Sequence, residues 1–496
     1  MPGTTTLALQ STTSLLNDEG ESDFPGLSSI EASRLEPIRQ AWQPTWALAE
    51  ASTGFSRGQM SMAFVFTTQK EFVILPQLRT RAQALTITPT ITEAIVGTAL
   101  VDAFFASLPP PLNAAPHGSI GAVFLGTLPA PNYISNPVNG PFQVNSSGQV
   151  VQQSTANLTF IACLPAIDAS APCVIYQHGI TRTKFDSLAV ANSNAGVGMG
   201  TIAIDLVLHG DNSLPGQPSG TDFINLENLR MSLANLLQSS ANLSALTRMV
   251  SSGNTDFSGV ATPEFSTTSI EFSGQSLGSI VGDLFMATEN NVPTAMLNVP
   301  GGRITDLLVN SPSFAPEINA GLAALGIVPG SPAYTQFFFI AQTFVDDGDP
   351  FNYGPHILPG SLAGNRPASV LMQEMVGDQV VPNSATTDLA RAINNNTGNF
   401  PNLDTLMSIS GLTQLGTPHF GSGLFQYQNG SHGFLIDPTA GPTVAAQTQM
   451  VTYLVSALFG TPTIANFGQG ALPAPPVGGV KFTIDVDAAI RLPGER

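Results

Sequence analysis

One serine stands where an apolar run gives way at once to a helical pattern, between two glycines. The segment reads Ser-Ile-Glu-Phe-Ser-Gly-Gln-Ser-Leu-Gly over residues 269–278. In a Gly-x-Ser-x-Gly turn between a strand and a helix, a strained backbone lifts the serine hydroxyl above the sheet. The glycines remove side chains that would block close approach, and the Leu277 backbone N–H at the helix N-terminus would face a developing oxyanion. The pattern therefore predicts Ser276 as a nucleophile.

A serine hydroxyl needs a base to activate it, and that base needs an acid to orient it. In sheets that carry such a turn, the chain order is serine, acid, histidine. Asp378 ends an apolar strand pattern over residues 369–375 and follows Gly377, which predicts a place at the carboxyl edge of the sheet. Glu374 lies inside the same strand pattern and is a poorer candidate. Asp378 is the predicted acid, and capping of the turn or of the following helix is its alternative role.

Two of the six histidines follow Asp378, so the base is either His432 or His419. His432 lies in a Gly-flanked loop, Asn429–Phe434, between the last strand pattern, at 423–427, and the last helical pattern, at 443–458. His419 lies in a segment that interrupts the alternation of strands and helices. Placement favours His432 as the base and leaves His419 as a loop histidine.

A second oxyanion donor is expected from the loop after an early strand. Val174–Gln177 is a strand pattern, and His178-Gly179-Ile180 follows it. The Ile180 N–H is the predicted second donor beside Leu277, and His178 is expected to support the turn. A further loop, His209-Gly-Asp211, is expected at the same edge and would shape the site.

The elements that must position these residues alternate between short apolar runs and helical patterns from Cys173 onwards, which predicts a parallel sheet of βαβ units. The sequence thus predicts an α/β class protein with a smaller β-rich N-terminal domain over residues 1–150 and a catalytic domain over 151–496. Inserts near 306–366 and 399–421 are predicted to form a cap or lid. Within the first insert, the apolar run 337–344 predicts either a buried core helix or a lid helix.

Two shorter predictions concern the N-terminal part. Strands are expected at 62–67, 72–75, 119–128 and 157–163, and a helix at 92–108. Residues 1–22 are polar and show little pattern, so an extended or partly disordered segment is expected there.

The formal net charge of −18, from 34 acidic and 16 basic residues, disfavours a nucleic-acid partner, because phosphate binding needs a basic surface. Cys163 and Cys173 flank a Pro-bounded turn. They could form a disulfide or stay as two buried thiols, because spacing alone does not decide between these states. A zinc site is disfavoured, because the two sulfurs have no nearby pair of histidines. Asp346, Asp347 and Asp349 crowd one loop, but calcium-loop spacing is absent, which favours solvated acids or helix caps. No metal is therefore predicted.

Three motifs together resemble the bacterial extracellular or virulence-factor lipases. They are Tyr-Gln-His-Gly-Ile-Thr-Arg-Thr-Lys at 176–184, Ala-Ile-Asp-Leu-Val-Leu-His-Gly at 203–210 and Gly-Gln-Ser-Leu-Gly-Ser-Ile-Val-Gly at 274–282. Residues 125–133 are similar to a segment near the end of that family's N-terminal domain, and residues 341–350 to a segment of its cap. The resemblance covers about residues 60 to 460 and implies the α/β-hydrolase fold.

The resemblance implies a secreted or cell-surface lipase, esterase or lysophospholipase that needs no cofactor and acts on a small-molecule or lipid ester. Ser276, Asp378 and His432 fall on the nucleophile, acid and base of the family. His432 is followed by Gly-Phe where Gly-Ser is expected, and Gln275 precedes the serine where histidine is commoner. Residues 1–22 show no signal-peptide pattern, so export is expected from the resemblance alone. A transient lipid-interface contact is expected, and no obligate protein partner.

Two alternatives remain at this stage. The same residues would serve a polyester hydrolase, and the fold could also carry a binding module without catalysis.

Overall fold

The computed structural model describes residues 3–63, 72–166, 170–260, 262–469 and 490–491. The chain divides into two compact units, residues 1–70 and 71–496. The first unit is helical, with α1 at Thr4–Gln10 and α2 at Ser29–Thr53. Ser28 starts α2 with a capping box, in which Ser28 and Glu31 each accept a backbone N–H from the other. Residues 4–10 were expected to be extended and instead form a helix, and the strand expected at 62–67 lies largely outside the described residues.

The second unit contains the remaining helices and strands. Its helices are α3 Ile74–Gln83, α4 Thr98–Ser107, α5 Leu188–Ala195, α6 Leu229–Ser251, α7 Leu277–Thr288, α8 Ile304–Asn310, α9 Ala315–Ala324, α10 Pro332–Val345, α11 Pro350–Tyr353, α12 Asn383–Asn395 and α13 Thr443–Leu458. Its strands are β1 Thr90–Val96, β2 Ile120–Asn132, β3 Ile134–Asn136, β4 Gly140–Phe142, β5 Ser154–Pro165, β6 Ala171–Gln177, β7 Gly200–Ile204, β8 Ile224–Asn225, β9 Phe265–Gln275, β10 Thr294–Asn298, β11 Ser369–Met375, β12 Asn402–Leu403, β13 Gln414–Leu415, β14 His419–Phe420, β15 Gly423–Tyr427, β16 Thr463–Ile464 and β17 Ile490–Arg491.

Eleven of these strands form one sheet in the order β1-β2-β5-β7-β6-β9-β10-β11-β15-β12-β13. From β7 to β13 every neighbouring pair is parallel, whereas β1, β2 and β5 add to the β7 edge as antiparallel strands. The central strands are buried on both faces, which is why β6 and β11 read as nearly continuous apolar runs. The sheet is mostly parallel, as the sequence predicts.

Helices cover both faces of this sheet. Ile175 of β6 packs in one core cluster with side chains of α6, α7 and α12, while Tyr176 packs in another with side chains of α5 and α13. Successive strand residues point to opposite faces, so neighbours in β6 serve different layers. The result is a three-layer arrangement in which the carboxyl ends of the parallel strands share one edge.

The division predicted near residue 150 differs from the one observed at residue 70. Residues 90–165 are β-rich, as expected, but β2 and β5 pair along their full length and β5 also pairs with β7. Backbone hydrogen bonds therefore join this segment to the parallel sheet instead of closing a separate domain.

Two local predictions near this segment are wrong. The run at 72–75 begins helix α3, because Leu75, Leu78 and Ala82 bury one helical face. The helix expected over 92–108 is split at Gly97, which has φ 97°, into strand β1 and helix α4.

The two inserts differ from each other. Residues 304–353 form α8 to α11 and lie beside the carboxyl edge, as a cap would. Residues 402–415 instead extend the sheet edge through β12 and β13. In the described ranges, no helix has both the length and the apolar character to cross a bilayer.

Candidate active site

Ser276 lies on the sharp turn between β9 and α7, with φ 55° and ψ −122°. A non-glycine residue in this region is strained, and the surroundings must hold it there. A Cβ on Gly274 would come within 2.7 Å of the Gly278 carbonyl oxygen, and a Cβ on Gly278 within 2.1 Å of the Gln177 carbonyl oxygen. Both glycines are therefore required by close backbone approach, which explains the Gly-x-Ser-x-Gly spacing.

The structure brings Ser276, His432 and Asp378 together, although 54 and 156 residues separate the bonded pairs in sequence. His432 Nε2 lies 2.7 Å from Ser276 Oγ, and His432 Nδ1 lies 2.7 Å from Asp378 Oδ2. All three side chains are buried. The carboxylate accepts from Nδ1–H, so Nε2 is free of its proton and accepts the serine hydroxyl.

Asp378 is held by the turn that carries it. Its Oδ1 accepts the backbone N–H of Val380 at 2.8 Å and of Val381 at 3.2 Å, which leaves Oδ2 to face the imidazole. The capping alternative considered from sequence is thus also present, on the other oxygen of the same carboxylate. Two fixed hydrogen bonds restrict the rotamer of the acid and hence the plane of the imidazole.

His419 is far from this arrangement in the fold. It lies on β14 and lines a cavity together with Ser369, the first residue of β11. That cavity is at the amino end of the strand, whereas Asp378 follows its carboxyl end.

Ile180 and Leu277 both line the cavity that contains Ser276. Among the described residues, neither backbone N–H has a hydrogen-bond acceptor. Both are therefore available to donate to an oxyanion of a bound substrate. Gly179 permits this approach, because a Cβ there would lie 3.1 Å from Ser276 Cβ and 2.6 Å from Gln275 Oε1.

His178 supports the loop that carries Ile180. Its Nδ1–H donates to the Gly179 carbonyl at 2.8 Å and its Nε2 accepts the Leu206 N–H at 3.1 Å. Burial lowers its pKa to about 3, so the ring is neutral at physiological pH. The structural role expected for His178 agrees with these contacts.

A buried lysine behind this loop was missed by sequence reasoning. Lys184 Nζ contacts Asp205 Oδ2 at 2.8 Å and Asp211 Oδ2 at 2.7 Å, and its backbone N–H donates to Asp205 Oδ1 at 2.7 Å. These bonds join the loop after β6 to the loop after β7. One sequence feature could have pointed to Lys184: it is one of only three lysines in the chain, and it comes directly after the predicted oxyanion loop.

Two cavities of opposite character flank the Ser276–His432–Asp378 group. The first contains Ser276, has a volume of about 60 Å³ and is lined almost wholly by apolar side chains, including those of Leu236, Phe314 and Val381. The second has a volume of about 290 Å³ and is lined mainly by polar residues and glycines, with His432 and Asp378 in its wall.

The two cysteines considered from the sequence are not paired. Cys163 on β5 and Cys173 on β6 are free thiols that flank the intervening β7, so about two strand spacings, ~10 Å, separate their backbones. Burial raises the pKa of Cys163 to about 12. Within the described ranges, no group of three or more His, Cys, Asp or Glu side chains could hold a metal ion. Asp349 instead caps α11 through the Phe351 N–H at 2.9 Å.

No protein-family model matches this sequence, and no curated protein is significantly similar to it. Solved structures similar in fold include an acetyl xylan esterase from Paenibacillus sp. R4, with 13% identity and a TM-score of 0.40 over 74% of this chain and 91% of that one. Acetyl xylan esterase 1 from Thermoanaerobacterium sp. JW/SL YS485 has 15% identity and a TM-score of 0.38, over 71% and 87%. A cold-adapted esterase from an Arctic intertidal metagenomic library has 14% identity and a TM-score of 0.35, over 67% and 94%.

At these values the neighbours carry no argument about activity, so the chemistry of this chain rests on its own residues. The mostly parallel sheet, the helices on both faces and the serine turn at the carboxyl edge are those of an α/β-hydrolase fold, as the sequence predicts.

Proposed function

We propose that this protein hydrolyses carboxylic esters through an acyl-enzyme on Ser276. The observation that carries the proposal is the unbroken hydrogen-bond chain from Ser276 Oγ to His432 Nε2, and from His432 Nδ1 to Asp378 Oδ2, with 2.7 Å at each step. A buried serine with a base and an orienting acid at hydrogen-bond distance is an activated nucleophile.

The proposed reaction begins when Ser276 Oγ attacks the ester carbonyl carbon while His432 Nε2 takes the hydroxyl proton. The carbonyl oxygen becomes an oxyanion that the N–H groups of Ile180 and Leu277 would bind, and Asp378 stabilises the imidazolium. His432 then returns the proton to the departing alcohol as the tetrahedral intermediate collapses to the acyl-enzyme. Water, deprotonated by His432, cleaves the acyl-enzyme and restores Ser276.

The apolar cavity supports an ester with a short acyl chain. Its volume of about 60 Å³ is about a fifth of that of the polar cavity, about 290 Å³. Ser276 is only 3% exposed, which favours molecules that enter a cavity over the surface of a polymer film. A short-chain carboxylesterase is therefore the preferred reading, and a polyester hydrolase is disfavoured.

Lipid esters are the second candidate, because helix α10 of the cap exposes apolar side chains. Phe339, Ile340 and Phe344 are exposed on it, beside Val345, which lines the apolar cavity. The run 337–344 therefore forms a cap helix with one exposed face. It is not the fully buried core helix that was one of the two alternatives from the sequence. An apolar patch next to a site is typical of contact with a lipid interface. Secretion or surface attachment remains a proposal from the family resemblance.

Replacement of the nucleophile tests the proposal. Ser276→Ala should reduce hydrolysis of p-nitrophenyl butyrate to background and abolish labelling by a fluorophosphonate probe, while the thermal unfolding midpoint stays near that of the wild type. Ser431→Ala is the matched control, because Ser431 is an exposed serine beside His432 and should keep full activity and labelling. Hydrolysis that survives in Ser276→Ala would exclude the assignment.

A wild-type protein that neither labels nor hydrolyses would favour a binding module on this fold. Tributyrin, a long-chain triglyceride, a lysophospholipid and a polyester film, each with Ser276→Ala as the blank, would rank the substrate classes.

A further inference from the structure

Glu374 is a buried carboxylate that the proposed reaction does not use. It lies in β11, is 1% exposed and precedes Asp378 by four residues. Each of its oxygens accepts a side-chain amide: Oε1 from Asn383 Nδ2 at 2.7 Å and Oε2 from Gln426 Nε2 at 2.8 Å.

Asn383 connects this carboxylate to the turn that carries Asp378. Asn383 Oδ1 accepts the Gly377 N–H at 2.7 Å, and its Nδ2 also donates to the Met375 carbonyl at 2.8 Å. These two backbone bonds fix which end of the amide is nitrogen. Glu374 therefore always meets a donor from Asn383.

Gln426 is oriented in the same way from β15. Its Oε1 accepts the N–H groups of Leu406 at 3.0 Å and Met407 at 2.8 Å, so its Nε2 must point to Glu374. A carboxylate accepts both amide donors with full strength, whereas a protonated carboxyl group accepts more weakly at its hydroxyl oxygen. The hydrogen-bond pattern therefore favours the ionised form of Glu374.

The charge that acts on Glu374 is that of Asp378. Helix α12 presents the neutral Asn383 and strand β15 presents the neutral Gln426, whereas the Asp378 carboxylate, four residues along the chain, acts on Glu374 only through its charge. Burial raises the pKa of Glu374 to about 7, the two amide bonds oppose that shift and Asp378 adds to it. As pH falls through about 7, Glu374 takes up a proton, and the amide bond to its hydroxyl oxygen weakens.

We propose that ionised Glu374 is a positioning residue for the acid of the site: through Asn383 it fixes the turn at Gly377 and Asp378, and through Gln426 it ties that turn to the segment at residues 406–407. The inference rests on the proposed ester hydrolysis, for which Asp378 is the acid. Asp378 can orient His432 only while the turn is held, so protonation of Glu374 lowers kcat. The larger change is expected in kcat and the smaller in KM, because Glu374 itself lines neither of the two cavities beside the site.

The test compares kcat of the wild type and Glu374→Gln on p-nitrophenyl butyrate across pH. The wild-type to variant ratio should be about tenfold at high pH, the effect of one lost hydrogen bond to a charged group. It should fall to near one below the Glu374 pKa of about 7, where the wild type also lacks the charge.

Glu271→Gln is the matched control. Glu271 is another buried glutamate, on β9, with a raised pKa and no described contact to the Asp378 turn, so its ratio should not change with pH. Asn383→Ala should lower kcat at high pH by a similar factor, and adding Glu374→Gln to it should have little further effect, because both act through one connection.

A Glu374→Gln ratio that stays constant with pH, or a ratio of one throughout, would overturn the proposal. An equal fall in kcat for Glu374→Gln and Glu271→Gln would overturn it as well, since that would mark a general loss of packing. Failure of the proposed function is distinguishable, because wild-type and Ser276→Ala proteins would then show the same background rate at every pH.

Discussion

The apolar and polar cavities meet at the same three side chains but are built in different ways. The apolar cavity is about 60 Å³, has Ser276 in its wall and is roofed by side chains of α8 and α10 from the cap. The polar cavity is about 290 Å³, has His432 and Asp378 in its wall and is formed mainly by the turns that follow β11 and β15. Val380 is common to both. The difference suggests that the acyl group and the alcohol are selected by separate parts of the chain.

This arrangement predicts three kinds of effect. Substitutions in the Ser276–His432–Asp378 group should slow the hydrolysis of all esters alike. Substitutions in the apolar wall should change the preference for the acyl group, and substitutions in the polar wall should change the preference for the alcohol.

The largest effect is expected at Asp378. Asp378→Asn should lower kcat about 10⁴-fold for every ester, because an amide nitrogen facing Nδ1 favours the imidazole tautomer that cannot accept the serine proton.

The Asp378→Asn rate should be measured on short and long acyl esters with matched alcohols. Asp388→Asn, on the partly exposed face of α12, is the control and should change kcat little, because partly exposed ion pairs contribute little. If the fall in kcat for Asp378→Asn depended on the length of the acyl chain, the hydrogen-bonded group and the apolar cavity would not act separately.

The next effect concerns the apolar wall. Wild-type kcat/KM should fall about tenfold from a butyrate to an octanoate ester, because the cavity is too small for the longer chain without movement of the cap. Leu236→Ala should raise the octanoate to butyrate ratio about tenfold, since it removes part of that wall. Steady-state kinetics on p-nitrophenyl esters of increasing chain length gives both numbers.

Leu389→Ala is the stability-matched control for this variant. Leu389 lies in the same core cluster but does not line the cavity, and each change should cost about 2–5 kcal/mol of folding free energy. The two variants should unfold alike but differ in acyl preference. If Leu389→Ala shifted the preference equally, the apolar cavity would not be the acyl site.

What the sequence could predict about this site was local. The strand–turn–helix pattern identified Ser276, and strand-end positions identified Asp378 and Ile180, because each depends on a few neighbouring residues. The choice of His432 over His419 followed from the order of elements along the chain. The structure joins Ser276, His432 and Asp378 in one hydrogen-bond chain and places Ile180 in the wall of the cavity that contains Ser276, while their catalytic roles stay a proposal.

Features that depend on distant pairing could not be predicted. The antiparallel addition of β2 and β5 joins residues 90–165 to the sheet through a register that no local pattern shows. Glu374 looked like a buried strand residue, since its partners Asn383 and Gln426 meet it only after β11 and β15 pair. The cavity walls likewise combine helices that are remote in sequence.

The smallest expected effect lies in the polar wall. Ser431 is exposed there beside His432, and Ser431→Phe would narrow the cavity without touching the hydrogen-bond chain. Esters of a bulky alcohol such as naphthol should lose about threefold in kcat/KM through steric exclusion, whereas the methyl ester of the same acid should be unaffected. Ser431→Ala should leave both esters unchanged.

The decisive comparison for the polar wall is between alcohols at constant acyl chain. Because the proposed alcohol side and acyl side are separated by Ser276 and His432, the Ser431→Phe effect should be the same for acetate and butyrate esters. An effect that grew with the acyl chain would mean that the acyl group lies in the polar cavity. The apolar cavity would then have to receive the alcohol, which reverses the assignment of the two sides.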